Sequence, residues 1–283
     1  MQGHLRVAFF MAVHLRDTDS LLLSERQLLH EGGGSSRWHN FGLWPAPDYA
    51  TACRALGLAV GTAAGLGPGQ RVLSLGVGDG EELALWSQHF GCEDLSASDA
   101  ALPATPDDKS AVAGTDAAPF DAIVCVDAAY HFSPRAAWLQ ACAKRLRPGG
   151  HIAYTDLCLH SHGIARWLAA PLLGPVMAVA GVDRRQLLSP AQQVQRLLEA
   201  GFEDAAWQDL SQPVLDGFIA FAAAQAARLR SARHGAIPAA WRRVSTTARA
   251  LQLLRRSAAG GLGYGVLSAR VRTSSADSAP AAH

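Results

Sequence analysis

One segment constrains this chain more than any other: Arg71-Val72-Leu73-Ser74-Leu75-Gly76-Val77-Gly78-Asp79-Gly80-Glu81-Glu82-Leu83. A short apolar run ends in glycines at every second position, and the helix-like pattern of Leu83, Leu85 and Trp86 follows. That order predicts a buried strand, a tight turn and a helix N-terminus, whose free backbone N–H groups and dipole can hold a polar ligand. The spacing narrows the ligand. A dinucleotide-binding turn, G-x-G-x-x-G, uses its third glycine for close helix–strand packing, and here Glu81 stands in that place. A G-x-G-x-G turn followed by acids disfavours a pyrophosphate and suits a ligand with a cationic, amino-acid-like end.

Around this turn, strand and helix patterns alternate. Asp17 to His30 reads as a helix, Gly32 to Ser36 as a linker, and Pro47 to Ala64 as a helix stopped by the glycines at 65, 67 and 69. Strands are predicted from Val72, at Asp94 to Ser98, as a short piece at Ala111 to Gly114, at Phe120 to Val126, at His151 to Thr155, at Ala205 to Asp209 and at Tyr264 to Val271. Helices are predicted at Arg135 to Leu146, Pro190 to Ala200 behind Ser189, Pro213 to Arg230 and Ala239 to Arg256. Alternation of this kind means a doubly wound, Rossmann-like, mostly parallel α/β sheet with ligands outside the carboxyl ends of its strands. The expected organisation is an N-terminal helical cap over 1–64, a ligand-binding domain over 65–272 with a lid around 160–188, and a disordered tail over 273–283. The lid is expected because Ile164 to Val182 is long enough to span a bilayer but is broken by Arg166, Pro171, Gly174, Pro175 and Gly181.

Composition excludes several function classes. Twenty-five basic and 24 acidic side chains leave a formal net charge of +1, with no basic excess to suggest nucleic acid. The five cysteines are odd in number, widely spaced and form no C-x-x-C, which fits reduced thiols in a cytoplasmic protein better than a disulfide framework or a metal site. Met1 to Arg16 is basic around an apolar run at the lower limit for a signal peptide and without its cleavage site, and is better suited to an amphipathic helix over the active site or against a membrane surface.

From Asn40 to Val271 the chain resembles the class I S-adenosylmethionine-dependent methyltransferases, specifically a small-molecule subgroup of natural-product or sterol-like type. The marks are Asn40-Phe41-Gly42-Leu43-Trp44, the turn at Gly76 to Gly80, Asp127-Ala128-Ala129-Tyr130-His131-Phe132, Leu146-Arg147-Pro148-Gly149-Gly150, and Glu199-Ala200-Gly201-Phe202, in this order and spacing. By resemblance, Gly76, Val77, Gly78 and Gly80 let the backbone approach the methionine part and sugar of the cofactor. Asp99, ending the second strand, is placed to accept from both ribose hydroxyls, with a helix cap as the alternative. Asp116 resembles the acid that meets the adenine amino group, against the alternative of a solvated loop carboxylate. Asp127 is a secondary cofactor contact. Trp44 sits where such enzymes fold an N-terminal helix over the cofactor, and an aromatic face there can stabilise a sulfonium; packing is the other reading, and the preferred one for Tyr49.

Two departures stand out. Ser74 occupies a position that normally carries an acid, for which Glu81 or Glu82 could substitute. Only Ala100 to Pro119 separates two strands usually joined by a full helix and strand.

His131 and Asp156 are the catalytic candidates. Each lies just past the end of one of two expected neighbouring strands. A neutral imidazole can take a proton from a hydroxyl as the methyl arrives, and a carboxylate can orient that ring. The alternatives are a capping or substrate-packing histidine and an acid that bonds a nearby loop. Tyr130 is a secondary candidate for orienting substrate. No metal is expected, since His160 and His162 lack a third ligand at suitable spacing.

The function these residues imply is methyl transfer from S-adenosylmethionine to a small, partly hydrophobic molecule at oxygen. The alternatives are an N- or C-methyltransferase without a base, and a degenerate cofactor-binding protein; a nicotinamide-dependent oxidoreductase is disfavoured by the glycine spacing. The expected partner is a small-molecule substrate. Neither nucleic acid nor a firm membrane anchor is expected, with peripheral membrane contact and a homodimer left open.

Overall fold

The computed structural model describes residues 29, 37–99, 118–160, 177, 182–232, 238–256 and 261–273. The N-terminal helix expected over Asp17 to His30 (Leu29 apart), the short strand at Ala111 to Gly114, Asp116, the lid sequence 161–181 apart from Met177, and the tail from 274 lie outside these residues.

Among the described residues, six strands form one sheet: β1 (Arg71–Leu75), β2 (Asp94–Ser98), β3 (Phe120–Cys125), β4 (Leu146–Leu159), β5 (Phe202–Asp209) and β6 (Leu262–Val271). Their order is β2-β1-β3-β4-β6-β5. The first four run parallel, and β6 is antiparallel to both β4 and β5. The apolar runs of β1 and β3 are buried almost throughout, as strands covered on both faces must be.

The longer helices among the described residues are α1 (Tyr49–Ala63), α2 (Glu81–Phe90), α3 (Arg135–Arg145), α4 (Pro190–Glu199), α5 (Gly217–Ala232) and α6 (Ala239–Arg256). Local chemistry sets their starts. The Asp48 carboxylate accepts from the Thr51 N–H ahead of α1. Ser189 and Gln192 form a reciprocal capping box ahead of α4, with Pro190 at a position where no N–H is needed. Two apolar clusters flank the sheet. Val72, Leu85, Trp86, Val124 and Leu157 belong to one, and Leu73, Ile123, Trp138, Tyr154 and Leu197 to the other.

Three boundaries differ from expectation, the simplest being β5, which begins at Phe202 and not at Ala205. β4 is longer than His151 to Thr155 at both ends. At its start Leu146 already pairs with Phe120, and the register break before the Ala122–His151 pair absorbs the intervening Pro148-Gly149-Gly150 segment. At its far end β6 pairs as far as Leu159 with Leu262, because an antiparallel neighbour carries the ladder past the point where β3 stops. The helix expected from Pro213 begins instead as a wide turn over Gln212–Asp216 and becomes regular at Gly217. All five cysteines are free and buried, consistent with thiols used for packing.

Candidate active site

The turn at the end of β1 is built by three positive-φ glycines, Gly76 at +71°, Gly78 at +53° and Gly80 at +82°. At Gly76 two constraints coincide. Its φ disfavours any side chain, and an added Cβ would overlap that of Ala128. The Gly76 N–H donates to the Ser98 carbonyl at 2.7 Å, so the turn is tied to the end of β2. Asp99 completes that tie: its Oδ1 accepts from the Gly78 N–H at 2.9 Å. Asp99 therefore braces the turn. Burial raises its carboxyl above the usual range, against the pull of the Gly78 N–H.

Gly80 caps α2, and Glu81 and Glu82 fill the first turn. Glu81 already complements the helix dipole there, which leaves little affinity for an anionic ligand. Glu81 accepts from the Arg37 N–H at 2.6 Å. Glu82 is buried, and burial pushes it up to about 8, with Asp99 and Asp127 adding in the same direction. It has no cationic partner among the described residues. Ser74, the departure noted above, is buried with its hydroxyl taking the Trp86 indole N–H at 3.2 Å. It is part of the packing beneath α2.

Asp127 organises the neighbouring strand end. It follows β3 with a φ of +56°, a conformation that acidic and amide residues tolerate better than most. Its Oδ1 accepts from the Tyr130 hydroxyl at 2.9 Å and the Tyr264 hydroxyl at 2.8 Å, and its Oδ2 from the Phe41 N–H at 2.6 Å. Its own N–H donates to Thr155 Oγ1 at 2.7 Å. Burial pushes its carboxyl up to about 6 despite these donors. Asp127 thus ties the Asn40–Trp44 segment, β3, β4 and β6 together while lining a recess with Gly76, Val77, Gly78, Glu82 and Trp38. Tyr130 is a support for this carboxylate.

Two expectations need correction. Asp156 does not orient His131. Its carboxylate is ion-paired with Arg135 at 3.0 Å, accepts from Gln193 Nε2 at 3.3 Å and takes its neighbour Leu157's N–H at 2.8 Å. Alternation along β4 explains this: Tyr154 and Asp156 face the cluster under α3 and α4, whereas Thr155 faces Asp127. Trp44 does not line the glycine-turn recess. Its ring stacks on Phe221 at 4.7 Å and its N–H donates to the Phe41 carbonyl at 2.9 Å, so it packs the N-terminal segment onto α5. Tyr49, buried, donates to the Asn40 carbonyl at 2.8 Å and is likewise a packing residue.

His131 ends a short 3-10 turn (Ala129–His131) just beyond β3, with its ring edge-to-face against Tyr130 at 4.6 Å. It stays on the carboxyl edge of the sheet. The residues that sequence reasoning missed are Arg37, Trp38 and His39, which close the recess from the N-terminal side. The usable signal was an aromatic pair between a glycine-rich linker and the Asn40 motif.

The fold and this recess define a class: a doubly wound α/β domain with a glycine turn at the carboxyl end of its first strand. A family model described as "Methyltransferase domain" matches residues 46–206, more than half the chain. The protein belongs to that family, which is S-adenosylmethionine-dependent.

No curated protein matches. Among solved structures, the mycolic acid cyclopropane synthase CmaA1, complexed with S-adenosylhomocysteine and CTAB, is similar at 15% identity and a TM-score of 0.64, over 92% of this chain and 97% of that one. The cyclase SpnF is similar at 21% identity and a TM-score of 0.57, over 96% of this chain and 100% of that one. A methyltransferase of Geobacter sulfurreducens in complex with S-adenosylhomocysteine is similar at 18% identity and a TM-score of 0.52, over 88% and 98%. At these identities the likeness establishes the fold.

Proposed function

We propose that the protein transfers a methyl group from S-adenosylmethionine to a hydroxyl oxygen of a small, partly hydrophobic molecule. One observation carries the cofactor half of this reading. Two buried carboxyls, Glu82 and Asp127, stand beside the glycine turn, both pushed up by burial and neither with a cationic partner among the described residues. An uncompensated buried acid is costly, and a ligand with an ammonium and a sulfonium would offset that cost. In this reading Glu82 supplies the acid that Ser74 does not.

Gly76, Val77 and Gly78 allow close approach of the backbone, and Asp99, held by the Gly78 N–H beside the turn, is the proposed acceptor for a ribose hydroxyl. Asp127 holds the floor of the recess in place. Asp116 remains the proposed partner of the adenine amino group. When bound, the cofactor supplies an electrophilic methyl group for in-line displacement, a reaction that needs mainly positioning and exclusion of water. His131 is the proposed base, taking the hydroxyl proton onto its ring as the oxygen–carbon bond forms. The apolar composition of Ile164 to Val182 supports a substrate with a hydrophobic part.

A second reading has a specific observation behind it. Because Asp156 is committed to Arg135, the carboxylate partner expected for His131 is elsewhere engaged. An acceptor that needs no base, such as an amine or a carbanion, then becomes the competing substrate class. Calorimetric titration with S-adenosylhomocysteine, followed by methyl-transfer assays on hydroxyl and amine acceptor panels, tests both. Tight binding with turnover only on amines would overturn the oxygen assignment. Binding with no turnover on any acceptor would leave a degenerate cofactor-binding protein, and no binding would overturn the whole reading.

A further inference from the structure

The helical hairpin of α5 and α6 carries a charge pattern the methyl-transfer reading does not use. Together the two helices hold seven arginines and no lysine, aspartate or glutamate. The full chain is nearly neutral at +1, so the rest of it is net acidic and the basic charge is concentrated here. Arg255 is consumed by a bidentate pair with Asp216 at 2.9 and 2.7 Å. Arg242 and Arg249 are exposed, and with Arg230 they have no carboxylate partner among the described residues.

The outward side of the hairpin is also apolar. On α6 the exposed positions Arg242, Thr246, Arg249 and Leu253 recur at helical spacing and form one stripe. Leu253, 63% exposed, is the exposed large hydrophobic residue among those described. On α5 the exposed positions at 220, 223, 224 and 227 are all alanine. Between the helices runs a groove of about 190 Å³ with Ile219, Ala222 and Ala226 on its floor and Arg230 and Arg249 among its lining.

We propose that this face docks on an anionic phospholipid bilayer. Guanidinium groups meet headgroup phosphates, while Leu253 and the alanine side enter the interface. Arginine beside an exposed leucine and an apolar groove fits lipid headgroups and acyl chain together. A single-stranded nucleic acid would call for aromatic platforms for its bases, and the stripe carries none. The inference does not depend on the methyl-transfer reading.

Sedimentation of the full chain with vesicles of phosphatidylcholine, with and without phosphatidylglycerol, tests it. Binding should be at least about tenfold stronger on the anionic vesicles, since each arginine near such a surface contributes several-fold, and should fade at high salt. The R242E/R249E variant should lose the anionic preference, and L253D should weaken binding while keeping its salt dependence. Both sites are exposed and outside the recess, so methyl-transfer or cofactor-binding activity and the melting temperature should stay as in the parent. Equal binding to neutral and anionic vesicles would overturn the proposal. So would unchanged binding by R242E/R249E, which would put the contact on another segment, or binding of a single-stranded RNA oligonucleotide with none to vesicles.

Discussion

The Tyr264 hydroxyl donates to Asp127 at 2.8 Å although the two residues lie 137 positions apart. This bond joins the last strand, β6, to the end of β3 beside the glycine turn. Tyr130 donates to the same carboxylate oxygen and the Phe41 N–H to the other. The recess is thus held by a buried acid that gathers four parts of the chain.

Removing this acid should cost stability before it costs chemistry. Hydrogen bonds to a charged group contribute about 1.5–3 kcal/mol each, so Asp127→Ala should be strongly destabilising. Tyr264→Phe should cost about 1.5–3 kcal/mol on the same basis. Chemical denaturation of the single and double variants should give effects far short of additive, since the two side chains share one bond. Additive losses would mean that Asp127 and Tyr264 act independently.

The raised carboxyls carry a pH dependence. Glu82 at about 8 and Asp127 at about 6 lie above ordinary carboxyl values of about 4. The folded state therefore holds more protons than the unfolded one in these windows, and stability falls as pH rises: through about 4 to 6 for Asp127 and about 4 to 8 for Glu82. While one group titrates, the slope is up to about 1.4 kcal/mol per pH unit. Melting temperatures without cofactor should decline between neutral pH and about 9, and Glu82→Gln should flatten that decline. A flat parent profile would remove the buried-acid argument.

Binding of a cationic ligand should reverse that cost. If Glu82 must ionise to receive an ammonium group, binding near neutral pH releases a proton from it. Titrating S-adenosylhomocysteine in two buffers of different ionisation enthalpy measures this release directly. Proton release near one in the parent and near zero in Glu82→Gln is the expected pair of results. No release in the parent would sink the role of Glu82.

The glycine turn offers a graded test. Gly76→Ala meets both an unfavourable φ and the Ala128 side chain, whereas Gly80→Ala meets only an unfavourable φ, with its nearest neighbour 3.9 Å away. The left-handed conformation alone costs about 1–2 kcal/mol. Gly80→Ala should therefore fold and bind with modest loss, and Gly76→Ala should lose binding in a chain whose circular dichroism is retained. Equal affinities would contradict the geometry.

His131 and Asp156 should separate by readout. His131→Ala should lower turnover by about 10²–10⁴-fold if it is the base, with melting temperature little changed. Asp156→Ala leaves Arg135 buried and unpaired, which costs about 3–5 kcal/mol, while turnover per folded molecule should hold. A turnover loss in Asp156→Ala with unchanged stability would restore the dyad that the structure breaks.

The sequence by itself determined the alternation of strands and helices, the glycine turn and the start of α4. These are local signals: a period of two or 3.6, a glycine at positive φ, a Ser-x-x-Gln capping pair. Asp99 was legible as a strand-end acid, though its grip on the Gly78 N–H was not.

Only the tertiary structure decided which side chains meet. Asp156 and Thr155 are adjacent in sequence, yet strand alternation sends one to Arg135 and the other to Asp127. Trp44 looked like a cofactor cover until α5 brought Phe221 against its ring. The Asp127–Tyr264 bond depends on β6 inserting antiparallel between β4 and β5. Pairings of that range come from sheet order and register, which arise from burial over the whole chain and leave no periodic trace in any one segment.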